Sequence, residues 1–447
     1  MTTLATSLHI ATSSLGATQV QLSVAANNIA NADTDGYTTK RATQISLTSG
    51  GSGSGVSIAE IASNVSKILM TDLIDATSET AAATITQSYI SNLQSALGSL
   101  SSETGEGSAL SNTIAAFEDA MTGLATTPES ASLANAAVAA LEDVTNQIND
   151  TASDITDQIE TADSQIATGV AEANEALETI DGLNAQIRTA TARGDSTSDL
   201  QDQLNTALVA LSEQMEIKTF TGTDGSTKVY SASGQVLVDS TSHLLTTDTD
   251  ASGHVTISVN GSDITDKLDT GSLGALLTLR DETLPAFSEA LDELANQLVT
   301  TLNTVQPGLL TGTSASDIAV SDSLLSDPTT LLGTANASET ANAILDALQG
   351  DTSFNAAGVL SAGDRSFTDY VGEIISAAVS ASTSASNSLD LSQTELSSIE
   401  DTIASIYGVN VDEETERLAE LQQLYALAST ILSTIQSMFD DLRSAVS

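Results

Sequence analysis

The 447-residue sequence contains no cysteine and no tryptophan, and aromatic residues make up only 3% of it. The absence of cysteine excludes disulfide bonds, thiolate metal sites and cysteine nucleophiles. Aromatic side chains and arginine usually anchor binding pockets, so the sequence offers little for a small-molecule site. The apolar residues, 40% of the chain, are mainly Ala, Leu, Ile and Val, which suits long helices packed along their length.

Basic residues are also scarce. The chain has 12 Lys and Arg against 59 Asp and Glu, a formal net charge of −47. Nucleic-acid binding requires a basic face that displaces counterions from phosphates, so we expect no nucleic-acid partner and no binding to anionic lipid. We interpret the acidity as a solvated surface that keeps the protein soluble, with specific cation binding as the alternative.

No apolar stretch reaches the length of about 18 residues that a membrane helix needs, so no membrane span is predicted. Residues 1–25 have neither a basic start nor a continuous apolar core. The sequence therefore predicts no cleaved secretory signal. If the protein is exported, it leaves by a route that reads an uncleaved N-terminus.

Motifs typical of catalysis or metal binding are missing. His9, His243 and His254 are not spaced for a metal site or a catalytic triad, and no P-loop, dinucleotide-binding glycine motif or HExxH is present. Residues 248–253 match the first half of a calcium loop, but Val259 occupies the position where a bidentate Glu is required. We interpret this segment as a β-turn, and we expect no enzyme activity, no cofactor and no metal.

Apolar residues at both ends of the chain recur in alternating steps of three and four, which is a heptad pattern. Each end predicts an amphipathic helix whose narrow stripe needs one partner helix. The simplest pairing joins the two ends; the alternative is that each helix packs on its own domain. The predicted seam contains Leu4, Leu8, Ala11, Leu15, Thr18, Leu22, Ala25 and Ile29, and Leu418, Leu421, Tyr425, Ala428, Leu432, Ile435, Phe439, Leu442 and Val446.

The predicted fold class is mainly α with a smaller β domain. A helical period over residues 130–188 predicts one very long helix, and shorter helical patterns occur around 61–100, 199–215, 273–305, 337–348 and 367–406. Alternation at Val255, Ile257 and Val259, together with several Gly-containing turns, predicts hairpins over residues 216–267. Residues 49–55, rich in Gly and Ser, predict a flexible stretch.

Three predicted domains follow from this order. Residues 1–48 and 405–447 form a terminal coiled-coil domain. Residues 56–215 and 271–404 form a long helical rod, with a loop-rich segment at 309–364. Residues 216–270 form a β-rich insert.

One segment near the N-terminus carries the most specific pattern. Residues 25–37 read AANNIANADTDGY, which resembles the ANNIANxxTxGY signature of flagellar rod, hook and hook-associated proteins. The matching positions are Asn27, Asn28, Ala30, Asn31, Thr34, Gly36 and Tyr37. The three asparagines are expected to cap a helix end, Gly36 to allow a turn that a side chain would block, and Tyr37 to anchor that turn by packing.

The C-terminus resembles one branch of that superfamily. Residues 407–414, YGVNVDEE, and 421–426, LQQLYA, are similar to the ending of flagellar hook-associated protein 1, the FlgK type. Ile406-Tyr407 and Leu424 depart from the family pattern. Residues 131–188, 199–204 and 271–277 also look like family landmarks, and segment 309–364 leaves little room for the variable outer domain that family members often carry.

The resemblance implies a structural subunit at the junction of the flagellar hook and filament. It implies export through the flagellar type III channel, and an extracellular position. Implied partners are other copies of the chain, the hook protein, the next hook-associated protein, and a cytosolic chaperone that binds the C-terminal segment. We expect the terminal helices to be loose in the monomer and to become ordered on assembly.

Two alternatives stay open at this stage. A hook or rod subunit shares both terminal motifs but usually has a β-rich middle, whereas residues 110–215 are helical in pattern. An acidic secreted adhesin or surface-layer protein would explain the charge and the lack of cysteine, but not the paired terminal seams.

Overall fold

The structure is a computed structural model that describes residues 2–49, 52–63, 65–98, 110–332 and 336–446. These residues are mainly helical, with small antiparallel sheets. The helices are α1 Thr2–Ala30, α2 Lys67–Leu97, α3 Leu110–Thr126, α4 Ala131–Arg193, α5 Ser198–Gln214, α6 Gly271–Thr278, α7 Leu284–Val305, α8 Asp322–Ser326, α9 Ala337–Gln349, α10 Phe367–Tyr407 and α11 Val411–Val446. A π-helical segment, Leu279–Thr283, joins α6 to α7, and 3₁₀ turns cover Thr265–Lys267 and Pro328–Leu332.

The strands are short and pair as antiparallel neighbours. They are β1 Arg41–Ser49, β2 Ser52–Ala62, β3 Ile217–Thr221, β4 Thr227–Ser231, β5 Val236–Val238, β6 Leu245–Thr249, β7 Val255–Val259, β8 Ser262–Asp263, β9 Leu310–Thr311, β10 Ala319–Val320, β11 Thr352–Phe354 and β12 Gly363–Arg365. Two sheets have three strands, β3-β4-β5 and β6-β7-β8, and the other sheets are two-stranded hairpins. The predicted fold class is confirmed.

Helix α4 is the axis of the molecule. Its 63 residues span about 95 Å at 1.5 Å per residue. The Ser130 hydroxyl accepts from the Leu133 N–H at its start, and Gly194 ends it in a left-handed conformation with φ 76°. The sequence period thus predicted this helix almost to its ends.

The core lies along one face of α4. Its apolar residues at heptad-like steps are fully buried, among them Leu141, Ile148, Ile155, Ile166 and Leu177. Helices α3, α5, α6 and α7 all pack on α4, while α10 packs along α2. The stripe on α4 is therefore covered by several shorter helices in turn, and not by one long coiled-coil partner. We call α2 to α10, with strands β3 to β12, the body.

The two three-stranded sheets are attached to α4 through side-chain amides. Asn184 donates to the Thr227 carbonyl and accepts from the Thr227 N–H, both at 2.8 Å. Asn174 does the same for Leu245, at 2.9 and 2.7 Å. Each asparagine supplies the hydrogen bonds that a further strand would make, an arrangement that we call an amide bracket. The sheets are thereby fixed to the long helix.

A charged version of this attachment occurs at the π-helical segment. Asp163 on α4 accepts from the Val255 N–H at 2.8 Å, and Arg280 donates to both Asp163, at 2.6 Å, and the Val255 carbonyl, at 2.7 Å. Arg280 also donates to Asp281 at 2.7 and 2.8 Å. This buried guanidinium ties α4, β7 and the α6–α7 connection together.

The turns between the strands of the β region lie where the sequence predicted them. Asn260 and Gly261 both have positive φ, 53° and 75°, between β7 and β8, as a tight hairpin turn requires. The segment with partial calcium-loop character forms the turn between β6 and β7, where the Asp250 carboxylate accepts from the N–H groups of Ser252 and His254. The β-turn interpretation is confirmed.

The hairpin β1–β2 corrects one expectation from the sequence. Residues 49–55 were expected to be a flexible stretch and a helix was expected from about residue 61, but Arg41–Ser49 pairs with Ser52–Ala62 and α2 begins at Lys67. Gly50 and Gly51 lie outside the described residues. Strand pairing rests on main-chain hydrogen bonds, so a Gly- and Ser-rich composition concealed it.

None of the described helices combines the length and the apolar character that crossing a membrane requires.

Candidate functional site

Helices α1 and α11, the terminal helix pair, pack against each other. A heptad series is buried on each helix: Ala11, Thr18 and Ala25 on α1, and Leu421, Ala428 and Ile435 on α11. Ala17 and Val24 on α1 are buried as well. Most of the larger seam residues are half-buried: Leu4, Leu8, Leu15, Leu22 and Ile29, with Leu418, Tyr425, Leu432 and Phe439. Leu442 is 44% exposed, and nothing is described for the Val446 side chain.

A second apolar stripe on α11 is left uncovered. Leu424, Leu427, Ile431 and Met438 are about half exposed, and Leu442 is nearly as exposed. Their steps of three, four and seven place them on one helix face. The heptad pattern in the sequence predicted the inner stripe, which packs on α1, but it did not predict this outer stripe.

The end of α1 is held by an amide bracket of its own. Asn28 is fully buried; its side chain donates to the Lys40 carbonyl at 3.0 Å and accepts from the Lys40 N–H at 3.1 Å. The Tyr37 hydroxyl donates to the same Asn28 oxygen at 3.0 Å. Asn28 therefore orders the chain that leaves α1, instead of capping the helix end as the sequence suggested.

Lys40 connects this segment to α5. Its ammonium group lies 2.7 Å from Asp202 and 2.8 Å from Asp199, and 3.3 Å from the centroid of the Tyr37 ring. The Lys40 and Asp202 side chains are both buried, and Asp199 is exposed. Thr38 adds two bonds to Asp202, from its N–H at 3.0 Å and its hydroxyl at 2.7 Å. We call Asn28, Tyr37, Thr38, Lys40, Asp199 and Asp202 the joint.

Two pKa shifts follow from this packing. Burial lowers the pKa of Lys40, but the hydrogen bonds that its ammonium group donates to Asp199 and Asp202 outweigh burial, so the pKa is raised overall. Burial is also the largest cause of the raised pKa of Tyr37, against an opposing effect of Lys40. Both groups hold their protons more tightly in the folded protein, so at neutral pH Lys40 is a cation and the Tyr37 hydroxyl is protonated.

The joint also contacts the turn between α10 and α11. The Thr39 N–H donates to the Tyr407 carbonyl at 2.7 Å, and its hydroxyl donates to the Gly408 carbonyl at 2.5 Å. Gly36 has φ +72°, and a Cβ there would lie 2.5 Å from the Thr206 hydroxyl on α5. The segment after α1, helix α5 and the turn between α10 and α11 are distant in sequence, and they meet here next to the motif.

The other motif residues occupy different environments. Asn31 donates to the Asn27 carbonyl at 2.9 Å, which is the helix-end role expected for it. Asn27, Ala30 and Thr34 are exposed. Asn27 and Thr34 line a groove of about 590 Å³ between α1 and the α4–α5 turn, together with Asn31, Tyr37 and Ser196. In the described residues, no three of the His, Asp and Glu side chains are grouped so as to hold a metal ion.

Sequence reasoning missed Lys40, Asp199 and Asp202 as members of the site. Lys40 is one of only 12 basic residues and follows Tyr37 by three positions, so its scarcity was a usable signal. Asp199 and Asp202 are two of 59 acidic residues, and nothing local in the sequence distinguishes them from a solvated face.

Comparison with known proteins gives two family matches. Residues 90–318, just over half of the chain, match the model described as the helical domain of the flagellar hook-associated protein FlgK. Residues 8–38, which contain the motif, match the model of the flagella basal body rod protein. No curated protein sequence matches the chain.

One similar solved structure is the flagellar hook junction protein FlgK from Burkholderia pseudomallei. The likeness has a TM-score of 0.46 and 22% sequence identity, and it covers 54% of this chain and 44% of that one. The chain thus spans less than half the length of this relative. With just over half of its residues matched by the family model, the chain belongs to the family of flagellar hook-associated proteins that share the FlgK helical domain.

Proposed function

We propose that this protein is a structural subunit of the bacterial flagellum, located where the hook meets the filament and needed for the filament to assemble on the hook. Membership of the FlgK helical-domain family supports this role. So does the match of the motif-bearing end to a rod-protein model, since rod proteins are also built into the flagellum. The role is structural and requires no catalytic group.

The distribution of charge carries the proposal. The chain has 71 charged residues, 59 acidic and 12 basic, yet residues 2–30, all of α1, contain no Asp, Glu, Lys or Arg, and neither do residues 421–439 of α11. Identical subunits with a charge of −47 repel one another. A neutral surface is where such subunits can approach closely, and here it coincides with the half-buried seam and the exposed outer stripe.

The outer stripe gives this surface its driving force. Leu427 is 54% exposed, and Leu424, Ile431 and Met438 are similarly uncovered. Burial of apolar surface contributes about 25 cal/mol per Å², so several half-exposed large side chains gain stability when neighbouring terminal helices cover them. In this proposal the assembled seam includes both stripes, and copies of the chain are the first partners.

The joint gives the terminal helix pair a fixed direction on the body. Lys40, Asn28 and Asp202 link the end of α1 to α5, and Thr39 links it to the turn between α10 and α11. A subunit that joins two tubes must transmit bending and torsion from its packed terminal helices to its outer body. Buried, charge-assisted hydrogen bonds are suited to that load because they are directional.

Further partners follow from the same role. The hook protein would contact the subunit on one side and the next junction protein on the other. A cytosolic export chaperone would cover the apolar stripes of α11 before export through the flagellar type III channel. The final location would then be extracellular, in the flagellum.

A hook or rod subunit is the second candidate, because residues 8–38 match the rod-protein model. The helical body favours the junction, since residues 90–318 match the FlgK helical domain. Nothing in the comparisons supports an adhesin.

The test is deletion of the gene, with electron microscopy of the cells and an assay of flagellin in the medium. Hooks without filaments, together with released flagellin, are expected. Absence of hooks would reassign the protein to the rod or hook, and normal filaments would overturn the flagellar role. Complementation with wild type and with a Leu427→Asp/Ile431→Asp variant adds a control: only wild type should restore filaments.

A further inference from the structure

The β3–β4 hairpin exposes an unusual combination of side chains on one face. Phe220 pairs directly with Lys228, and Lys218 with Tyr230, so these four residues alternate along the same side of the two strands. The Phe220 and Tyr230 rings meet edge to face, with centroids 5.6 Å apart. Phe220 remains 63% exposed.

The start of α2 extends this face. Ile68 is 73% exposed and Lys67 beside it is exposed. A groove of about 350 Å³, lined by Lys67, Met70 and Phe220, connects the helix to the hairpin. We call Lys67, Ile68, Phe220, Lys228 and Tyr230 the basic–aromatic patch.

Scarcity makes the two lysines of this patch informative. Basic residues number only 12 against 59 carboxylates, so an exposed lysine has a large choice of acidic neighbours. Lys218 is 3.9 Å from Glu216, but Lys67 and Lys228 form no ion pair with any described residue. Unpaired lysines around an exposed aromatic ring are suited to an acidic protein surface that carries an apolar side chain.

The chain itself presents such a surface on α10. Leu391 is 70% exposed between the acidic residues Asp390 and Glu395, and Ile406 near the helix end is 59% exposed. No Lys or Arg occurs between Arg365 and Arg417. The second half of α10 is therefore acidic, with uncovered apolar groups.

The two surfaces lie at the same end of the body. Thr38 in the joint contacts Ser63, just before α2, at 2.6 Å, and the adjacent Thr39 bonds to Tyr407 at the end of α10. The start of α2 and the end of α10 are thus neighbours, and the helices pack along each other. Leu391 lies 16 residues before Tyr407, about 24 Å along α10, so two copies side by side bring one patch to the other's Leu391 with an axial shift of about that length.

We propose that the basic–aromatic patch binds the acidic second half of α10 of a neighbouring copy of this chain, as a lateral contact of the assembled protein. Such a head-to-tail contact between two different surfaces generates rings or helical tubes. It also offsets the repulsion between subunits that each carry a charge of −47. The inference rests on the proposed function, since it requires copies to assemble.

Cross-linking in assembled flagella tests the contact directly, because the chain has no cysteine of its own. A Phe220→Cys/Leu391→Cys chain, treated with a short bismaleimide, should give a ladder of covalent dimers, trimers and larger species. Each single variant should give no ladder. Filaments that form with the double variant but yield only monomer would overturn the contact while leaving the junction role intact.

Charge exchange provides an independent test. Lys67→Glu/Lys228→Glu should reduce the number of filaments per cell, and adding Asp390→Lys/Glu395→Lys in the same chain should restore it. Lys267→Glu, which reverses an exposed lysine outside the patch, is the matched control and should assemble like wild type. Normal assembly of the Lys67/Lys228 variant, or failure of the four-site chain to recover despite a wild-type circular dichroism spectrum, would overturn the proposal.

Discussion

The body and the terminal helix pair use apolar residues in opposite ways. On α4 the stripe residues Leu141, Ile148 and Ile155 are fully buried by helices of the same chain. On α11 one stripe is half-buried against α1, and a second, including Leu427 and Ile431, faces outward. The core stripe of the body is therefore covered within one chain, whereas the terminal pair leaves an apolar stripe exposed.

The body and the terminal helix pair also differ in charge. The body exposes most of the 59 carboxylates, which keep it solvated, while α1 carries no charged side chain. The joint lies where the body meets the terminal helix pair. Its buried ion pair joins them, because Lys40 follows α1 and Asp202 lies on α5 of the body.

Of the changes that separate the two regions, breaking the joint should have the largest effect on stability. Lys40→Met leaves the buried Asp202 carboxylate without its cation, and removal of one partner of a buried ion pair costs about 3–5 kcal/mol. We expect amide protons of the joint, at residues 37–41 and 199–206, to exchange much faster in the variant while those in the middle of α4 stay protected. Asp199→Asn, at the exposed partner of Lys40, is the control and should change little. Equal loss of protection in both regions would mean that the joint is part of a single core.

A pair of truncations separates the two kinds of apolar residue. Ile148→Ala in the buried stripe should lower the free energy of unfolding by about 2–5 kcal/mol, through lost transfer energy and a cavity. Leu427→Ala on the outer stripe should leave the unfolding of the monomer within about 0.5 kcal/mol of wild type and yet reduce assembly. Urea titration of purified chains and filament counts in cells measure the two effects. A clear loss of monomer stability in Leu427→Ala would show that the outer stripe is already covered.

The amide brackets predict an intermediate effect within the body. Asn184→Ala leaves the buried N–H and carbonyl of Thr227 without partners on that side, which costs about 1–3 kcal/mol. Asn92→Ala, an exposed site on α2, is the matched control. Exchange should increase in β3 and β4, and much less in β6 to β8, which Asn174 holds. Uniform loosening of both sheets would contradict independent attachment.

The amide brackets are features that the sequence alone could not predict. The period of α4 and the motif at residues 25–37 are local patterns, so helix α4 and the family resemblance could be derived from the residues. Asn28 and Asn184 each bond to a backbone that the sequence does not place beside them. The hairpin β1–β2 was concealed for a similar reason: main-chain pairing leaves little trace in a Gly- and Ser-rich segment.

Gly36 tests how tightly the joint is packed against α5. Gly36→Ala puts a side chain at φ +72° and 2.5 Å from the Thr206 hydroxyl, and positive φ costs a residue with a side chain about 1–2 kcal/mol. A Thr206→Ala/Gly36→Ala chain should recover the steric part of the loss but not the backbone part. Thermal unfolding of the two variants and of Thr206→Ala alone gives the comparison. Full recovery in the double variant would assign the whole cost to the clash.

The smallest expected effect is a pH dependence in the joint. Tyr37→Phe removes the hydroxyl bonded to Asn28, a loss of about 1 kcal/mol at neutral pH. Burial raises the pKa of Tyr37 above its usual value of 10.0, so folding favours the protonated form, and that contribution is lost as pH rises above 10.0 toward the raised pKa. The advantage of wild type over Tyr37→Phe should therefore narrow above pH 10, measured as the difference in unfolding midpoint between the two chains. Because Tyr89 and Tyr370 in the body also have raised pKa values, both chains will lose stability there, and only their difference reports on the joint. A difference that stays constant through this range would place the Tyr37 hydroxyl in water and remove it from the joint.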